Sequence, residues 1–600
     1  MKPFPLLLCI LLAGLVAPVF GKLDGTYMNE AGMTLKTPHA AWDEKGELPH
    51  KKILFIMQQT ASREIIELVQ RFPGFEYEVV LTANEHSIGA DDIYSNPIAG
   101  LSTADKLQEL DAKLAKDYDL VVMANVDFAV LPDEQKFRLM SMVRNGTGLV
   151  RIQSGEPWSE LKKLPYKKPY AQPLPRPEWV AGSNSLPGTR PKNFESRIFN
   201  AWQFGNGRIV EVDYGAGYRP GVGLTPYFNY TTDWFFLYET SQAFLAQVLY
   251  YASGIELPAF SVRQDNGQFA VTSPEKTVAE GRIRQPDNSV IRNSLDFTNL
   301  PAGRYAADVL VRRDGALVNF GAFPFTVESS FGAVSVETPR LVQDRGPFSV
   351  TLKLASPAQD GYSAKVELMD APYRNVWFSK TLPLEAGKKE LSFGLENYRM
   401  PTIGGYLRCT VYDARGHAAH AENPVIFPDY SLEDYLQLTW GQVGCTFNPA
   451  FGERIIDRLG WNVSLQFFSK GDIENALRNE KLCPYICRIG MEAGPNNETR
   501  ILRKLWSEQK ENMERLGTLN GDESFYHPLV RKLWSDDLRR QAEYLKDLSP
   551  VLYNLGDENF YTYDAGFGES DKQPFADFLR QKYQTMENPV SYTHLTLPTN

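Results

Sequence analysis

Between Lys51 and Gly254 short apolar runs alternate with segments of helical periodicity, and the same alternation returns after Asp429. In the first block Ile53–Met57, Tyr77–Thr82, Leu120–Ala124 and Gly148–Ile152 read as strands, and Ser62–Phe72, Thr103–Lys116 and Pro132–Val143 as helices. A helix between two strands returns the chain to the same end of the sheet, so this pattern predicts a parallel sheet with helices on both faces. Arg208–Val212 and the aromatic helix Asp233–Ala252 close the unit, which carries its own alternating core and is expected to fold alone. Lys22–His50 is polar and irregular and reads as a lead-in.

Between the two blocks the helical period disappears. Leu295–Phe297, Tyr305–Val311, Ala322–Val327, Phe348–Leu354 and Tyr406–Tyr412 read as strands. They are set off by turns such as Pro301-Ala302-Gly303, Arg313-Asp314-Gly315 and Ala414-Arg415-Gly416. Two consecutive β-sandwiches are expected, over 255–330 and 331–428. Their commoner role is spacing and bracing. At ~150 residues per domain, 600 residues imply about four domains.

In the second block Tyr435–Trp440, Val463–Phe468, Tyr485–Gly490 and Val551–Leu555 read as strands. The helices between them are Ala450–Leu459, Gly471–Glu480, Thr499–Leu516 and Pro528–Leu548. The last carries Leu529, Leu533, Trp534, Leu538, Ala542 and Leu545 at helical spacing. Four such units make the first half of a (β/α)8 TIM barrel, which needs roughly 250 residues where about 160 are present.

The net charge of −10, with no long basic run, argues against a nucleic-acid partner. Met1–Gly21 reads as a secretory signal: Lys2 is the charged start, Phe4–Phe20 is apolar, and Val19 and Gly21 are small residues at the cleavage site. A secreted or periplasmic location follows. No later run reaches ~18 uninterrupted apolar residues, so no integral membrane segment is expected. Beyond Cys9 the cysteines are Cys409, Cys445, Cys483 and Cys487, too sparse for a disulfide scaffold. Cys483-x3-Cys487 is a weak metal signal, and small buried side chains in a barrel wall are the commoner reading. No metal or cofactor is expected.

The segment with most chemistry is Val551–Phe560, VLYNLGDENF, an apolar run ending in Asp557-Glu558-Asn559. Barrel enzymes place catalytic groups at the carboxyl ends of strands. The bland alternative for Asp-Glu-Asn after a strand is a solvated loop or a helix cap. Retaining glycoside hydrolysis needs two carboxyl groups about 5 Å apart, one protonated and one ionised. Neighbours on a strand point to opposite sides, so Asp557 and Glu558 cannot themselves be that pair. Trp440 and Gln442 at the first strand end, and Arg488 and Glu492 near the third, are further candidates for stacking on a sugar or pairing with it. Structural roles are commoner for each. His527 precedes Pro528 and starts the helix.

YHPLVRKLWSDDLRRQAEYLKDLSPVLYNLGDENF, followed by PFADFLRQKYQTMEN, resembles the fourth-strand region of clan-A family 42 β-galactosidases over about sixty residues. The resemblance implies a retaining glycosidase acting on an oligosaccharide or polysaccharide. Glu558 matches its acid/base, and the nucleophile would come from strand seven. Asp557 stands where the family has an Asn that contacts a sugar hydroxyl, so Asp557, Asn559, Trp440 and Arg488 are the candidate substrate-binding residues. A non-catalytic carbohydrate-binding or scaffold protein is the alternative. In the first block, DLVVMANVDFAVLPDEQ, RNGTGLVRI and GNGRIVEVDYGAGY resemble the class I glutamine amidotransferase-like fold, which implies a flavodoxin-like α/β domain. Active members use a cysteine on a sharp strand-to-helix turn. Here the turn reads Arg151-Ile152-Gln153-Ser154-Gly155-Glu156, with Ser154 the only substitute, so a non-catalytic domain is expected.

Val590–Thr599, VSYTHLTLPT, back-translates in one frame to a transposon-end sequencing adaptor, so Pro589–Asn600 is expected to be an artefact and the gene to continue past Asn588. Amplifying the locus from source DNA checks this. Intact VSYTHLTLPT codons in the genome would remove the expectation.

Overall fold

A computed structural model describes residues 34–37, 39–58, 61–91, 102–153, 172–175, 198–214, 223–226, 234–285, 288–328, 334–369, 376–416, 418–428, 438–439, 463–467, 481–485, 526, 528–548, 550, 552 and 569–584. The described chain is a multidomain mixed α/β and sheet-rich protein with several β-sheets. Among the described residues no helix is long and apolar enough to cross a membrane.

The first sheet contains β1 (Lys51–Gln58), β2 (Phe75–Thr82), β3 (Leu120–Ala124), β4 (Gly148–Ile152), β5 (Gln172–Pro173), β6 (Ile198–Phe204) and β7 (Gly207–Asp213). Their order is β2-β1-β3-β4-β7-β6-β5. The first five run parallel; β6 and β5 add an antiparallel edge that the sequence reading missed. The helices are α1 (Arg63–Arg71), α2 (Thr103–Leu114), α3 (Asp133–Asn145) and α4 (Trp234–Ala252). They cover both faces, as the alternation predicts. Ile53, Phe55, Val150 and Ile152 pack toward α1 and α4, while Leu54, Ile56, Val121 and Leu149 pack toward α2 and α3. Period-2 side chains on strands buried on both sides explain their nearly unbroken apolar runs. At Gly148 an added Cβ would lie 2.3 Å from the Ala252 carbonyl oxygen, so the end of α4 closes onto β4 only where no side chain intervenes.

The lead-in is irregular, but it is not a loose tail. Ala40, Trp42 and Leu48 lie in the core of the α/β unit, and Asp43 accepts the Glu47 and Leu48 backbone N–H groups at 2.7 and 3.2 Å.

The expectation of a sandwich over 255–330 is corrected. The structure has one four-stranded antiparallel sheet of β10 (Val278–Arg284), β11 (Val290–Arg292), β12 (Gly303–Arg313) and β13 (Ala316–Val327), with a separate hairpin of β8 (Ser261–Asp265) and β9 (Gln268–Thr272). Leu295–Phe297 is not a strand; Asp296 makes only an isolated bridge to Gln268. Phe323 and Phe325 of β13 face the aromatic cluster under the hairpin. Phe320 and Ala322 face the other way, into the α/β core. A bulge pairs Val311 with Asn319 and Arg312 with Leu317, and by skipping Val318 it brings Leu317 to the Phe320 side. The second layer of this module is therefore α4 and the lead-in.

The second module is a sandwich. Sheet β14 (Val334–Glu337), β15 (Phe348–Leu354) and β18 (Glu390–Leu395) packs on sheet β17 (Val376–Pro383), β16 (Ser363–Met369), β19 (Gly404–Tyr412) and β20 (Ala418–Ile426). Val350, Leu352, Val366, Leu368, Leu407, Val411 and the free thiol of Cys409 share its core. The Ala302 N–H donates to the Ala418 carbonyl at 2.7 Å and joins it to the preceding sheet.

A buried ionic network ties the N-terminal parts together. Arg71 Nε donates to Glu239 Oε1 and Oε2 at 3.1 and 3.0 Å, and Arg71 Nη1 donates to Glu67 Oε2 at 2.8 Å. Glu67 also pairs with Arg63 at 2.7 Å and accepts from Thr37 Oγ1. Glu239 accepts from Trp42 Nε1 of the lead-in at 3.3 Å and from Asn288 Nδ2 of the next module at 3.4 Å. Burial opposes each charge, but Arg71 and Arg63 hold the Glu67 carboxyl below its usual range. Across the same boundary, Glu47 pairs with Arg312 at 2.6 Å and accepts the Leu317 N–H at 3.0 Å.

These contacts cross the boundaries of the Lys51–Gly254 unit, and from them a fragment of that unit is expected not to fold alone. A 51–254 fragment leaves α4 bare on one side and Arg71 without the packing that encloses it. It is expected to be insoluble or to bind hydrophobic dyes, whereas 34–328 should unfold in one cooperative step by urea denaturation. Glu239→Ala strands Arg71 in the core and should cost about 3–5 kcal/mol in that transition.

Candidate functional site

The sequence-predicted site lies outside the described residues: Glu558, Asp557 and Asn559, the strand-end residues Trp440 and Arg488, and also Gln442, Glu492, His527 and Ser154. Its frame is partly described. β21 (Leu438–Thr439), β22 (Val463–Phe467) and β23 (Lys481–Tyr485) form a parallel sheet in chain order. The registers run Leu438↔Val463 and Val463↔Lys481. The third strand is described four residues earlier than the reading of Tyr485–Gly490, because Lys481–Pro484 pair with β22. This puts Cys483 within the strand; Cys487 lies outside the described residues. Then come α5 (Pro528–Leu545) and α6 (Glu569–Tyr583). Leu545 of α5 and the following Leu548 are buried against Ile403 and Ile426, so the end of this helix rests on the sandwich. On α6, Phe575 and Phe578 are 59% and 51% exposed. Among the described residues, no group of three or more His, Cys, Asp or Glu could hold a metal ion.

A second constellation, which the sequence reading did not assemble, occupies the carboxyl edge of the first sheet. There β1 ends in Gln58, and β3 and β4 are followed by Asn125 and Gln153. These three strands are neighbours, so three carboxamides stand side by side. Gln58 Nε2 donates to the Asn125 carbonyl at 2.9 Å and to Glu85 Oε2 at 3.3 Å. The Asn125 N–H donates to the Ile152 carbonyl at 2.8 Å, and the Gln153 N–H to the Val212 carbonyl at 3.1 Å. Gln153 Oε1 accepts the Tyr214 N–H at 2.6 Å. Asn125 and Gln153 have φ of 50° and 49°, left-handed conformations uncommon for residues with a Cβ. Asn125 is 8% exposed, and its Nδ2 has no hydrogen-bond partner among the described residues. A buried unsatisfied donor of this kind costs about 1–3 kcal/mol.

Gln153 directly follows β4. Its carboxamide can hold a hydroxyl or carbonyl group in place but cannot attack one. The available signal was positional: each of these residues ends or follows an apolar strand run.

Two charged features flank the edge. Arg151 of β4 lies opposite Glu211 of β7, with Nη1 3.3 Å from Oε1 and the guanidinium 5.0 Å from the Phe128 ring centre. Burial pulls the Arg151 guanidinium down and pushes the Glu211 carboxyl up, each against the attraction of the other. At the start of α1, Glu64 Oε1 accepts the Gly223 N–H at 3.1 Å, and Oε2 accepts the Thr225 N–H at 2.9 Å and that of Leu224. Complete burial pushes the Glu64 carboxyl up to about 8, against the pull of these donors.

No protein-family model matches the chain, and no curated protein matches it. Solved structures with local likeness include the β-glucuronidase of Parabacteroides merdae, at 12% identity over 44% of this chain and 34% of that one, TM-score 0.20. The FMN-binding β-glucuronidase of Facaelibacterium prausnitzii L2-6 shows 12% identity over 34% and 40%, TM-score 0.18. The superoxide reductase (neelaredoxin) of Ignicoccus hospitalis shows 13% identity over 16% and 81%, TM-score 0.14. At these values the likenesses carry no functional argument.

Glu64 gives a pH prediction. Its pKa is raised from 4.5, so its contribution to stability is full below about pH 4.5 and is lost as pH rises through about 8. Hydrogen-exchange mass spectrometry, corrected for intrinsic exchange, should show protection of residues 223–226 falling between about pH 4.5 and 8 and level above that. Glu64→Gln should flatten that slope. Constant protection in the wild type would contradict the raised carboxyl.

Proposed function

We propose that this chain belongs to a secreted, retaining glycoside hydrolase resembling the family 42 β-galactosidases, acting on an oligosaccharide or polysaccharide, with Glu558 as acid/base. The observation that carries the reading is the order β21-β22-β23. Consecutive strands lie side by side and parallel without reversal, which is the winding of a (β/α)8 barrel. The helices α5 and α6 flank the sequence position of the expected fourth strand, Val551–Leu555, at whose carboxyl end Glu558 follows. The exposed Phe575 and Phe578 on α6 fit a face that the remaining barrel units cover.

The strand order β2-β1-β3-β4-β7 supports a flavodoxin-like winding, and with it the amidotransferase-like reading of the first domain. Gln153 at its strained turn supports a domain without amidase chemistry.

In the proposed mechanism Glu558 donates a proton to the departing glycosidic oxygen and then takes one from the incoming water. The strand-seven nucleophile forms the glycosyl-enzyme. A negative Asp557 beside Glu558 raises the pKa of the acid and keeps it protonated nearer neutral pH. Trp440, Arg488 and Asn559 are the residues proposed to hold the sugar.

The test uses the uninterrupted reading frame. Glu558→Gln should slow glycosides with poor leaving groups by about 10²–10⁴-fold, and activated aryl glycosides much less. Azide should partly restore turnover of the activated substrates. Asp557→Asn should be milder and should lower the pKa of the basic limb of the pH–rate profile. Wild-type activity of Glu558→Gln on a natural glycoside would defeat the assignment. Clear turnover of an aryl glycoside by the 600-residue chain itself would defeat the view that the nucleophile lies beyond it.

A further inference from the structure

We infer that the carboxyl edge formed by β1, β3 and β4 is a binding site for a small neutral ligand rich in hydroxyl groups, of the monosaccharide class. In open parallel sheets the strand order reverses at one place, and the crevice there receives ligands. In this sheet the reversal falls at β1, which has β2 on one side and β3 on the other. Gln58, Asn125 and Gln153 stand at that edge.

The Asn125 Nδ2 donor is buried and unpartnered, so the edge offers a hydrogen bond that nothing in the described chain accepts. Close by, Glu85 offers a carboxylate, linked to the Asn125 carbonyl through the shared Gln58 Nε2 donor. Hydroxyl groups answer both needs, since a hydroxyl oxygen can accept from Asn125 and a hydroxyl O–H can donate to Glu85. An anion fits poorly, because Glu85 is itself acidic and the flanking Arg151 guanidinium already faces Glu211. The left-handed backbone at Asn125 and Gln153 is held by cross-strand hydrogen bonds to Ile152 and Val212, so the edge is organised before a ligand arrives.

This site stands apart from the glycosidase reading, because it lies on another sheet and uses none of its residues. The test is isothermal titration of the full chain with galactose, glucose and arabinose, and with acetate and phosphate as anionic probes. At least one monosaccharide should bind saturably, and Glu558→Gln should bind it equally well. Asn125→Asp tolerates the left-handed backbone and exchanges the donor for an acceptor, so it should bind about tenfold more weakly or worse. Asn125→Gly keeps the backbone and removes the side chain; it should lose the same binding and decides the matter if the Asp variant does not fold. Absence of monosaccharide binding, binding of anions instead, or affinity unchanged in a folded Asn125 variant would each overturn the site. Binding lost in Glu558→Gln but kept in Asn125→Gly would move the sugar to the barrel and overturn the site while leaving the glycosidase reading standing.

Discussion

The N-terminal half of this protein depends on a helix with no solvent side. From Tyr238 to Ala252, α4 is buried almost throughout, with the first sheet on one flank and the β10–β13 sheet on the other. In a helix enclosed in this way a buried polar group costs stability unless it is paired. Among the described residues the Gln242 carboxamide and the Tyr250 hydroxyl find no hydrogen-bond partner, whereas Glu239 and Gln247 satisfy their polar groups. Glu239 does so through Arg71, Trp42 and Asn288, drawn from three separate parts of the chain. Gln247 Nε2 does so by donating to the Phe320 carbonyl at 2.7 Å. The ionic contacts are a weak argument for stability, since a well-packed apolar set can be as stable. In this placement of α4, Glu239 and Gln247 are satisfied together.

The two parallel sheets are wound differently, and the difference bears on what each can do. The first reverses its winding at β1, which has β2 on one side and β3 on the other. In the second, β21, β22 and β23 lie parallel in chain order. The all-β modules between them supply spacing and fixed joints, such as the Ala302–Ala418 hydrogen bond and the seat of Leu545 and Leu548 on Ile403 and Ile426.

Much of this was legible in the residues. The strands of the first sheet emerged from their apolar runs, because burial on both faces leaves an uninterrupted signal. β6 and β5 did not, since an edge strand with alternating exposure, such as Phe199-Asn200-Ala201-Trp202, looks like a loop when read locally. The 255–330 module was misread for a related reason. The alternation in β13 shows that two faces are buried, but not that one is covered by a helix from an earlier domain. The polar lead-in hid its role because Trp42 and Glu47 find their partners far along the chain. Glu558 was singled out by its position after an apolar run, but it lies outside the described residues. Asn125 and Gln153 follow apolar runs in the same way, but their left-handed backbone leaves no mark in composition and they were not singled out.

The buried pairing of Arg71 with Glu239 spans 168 residues, and Glu47 reaches Arg312 and Leu317 across 265 and 270. A ribosome delivers the earlier partner of each pair first. While residues up to about 320 are still being made, α1 holds charged groups whose enclosing surfaces do not yet exist, and the lead-in has nothing to grip. The native arrangement of the first half is thus closed to the growing chain until the β10–β13 sheet has been made.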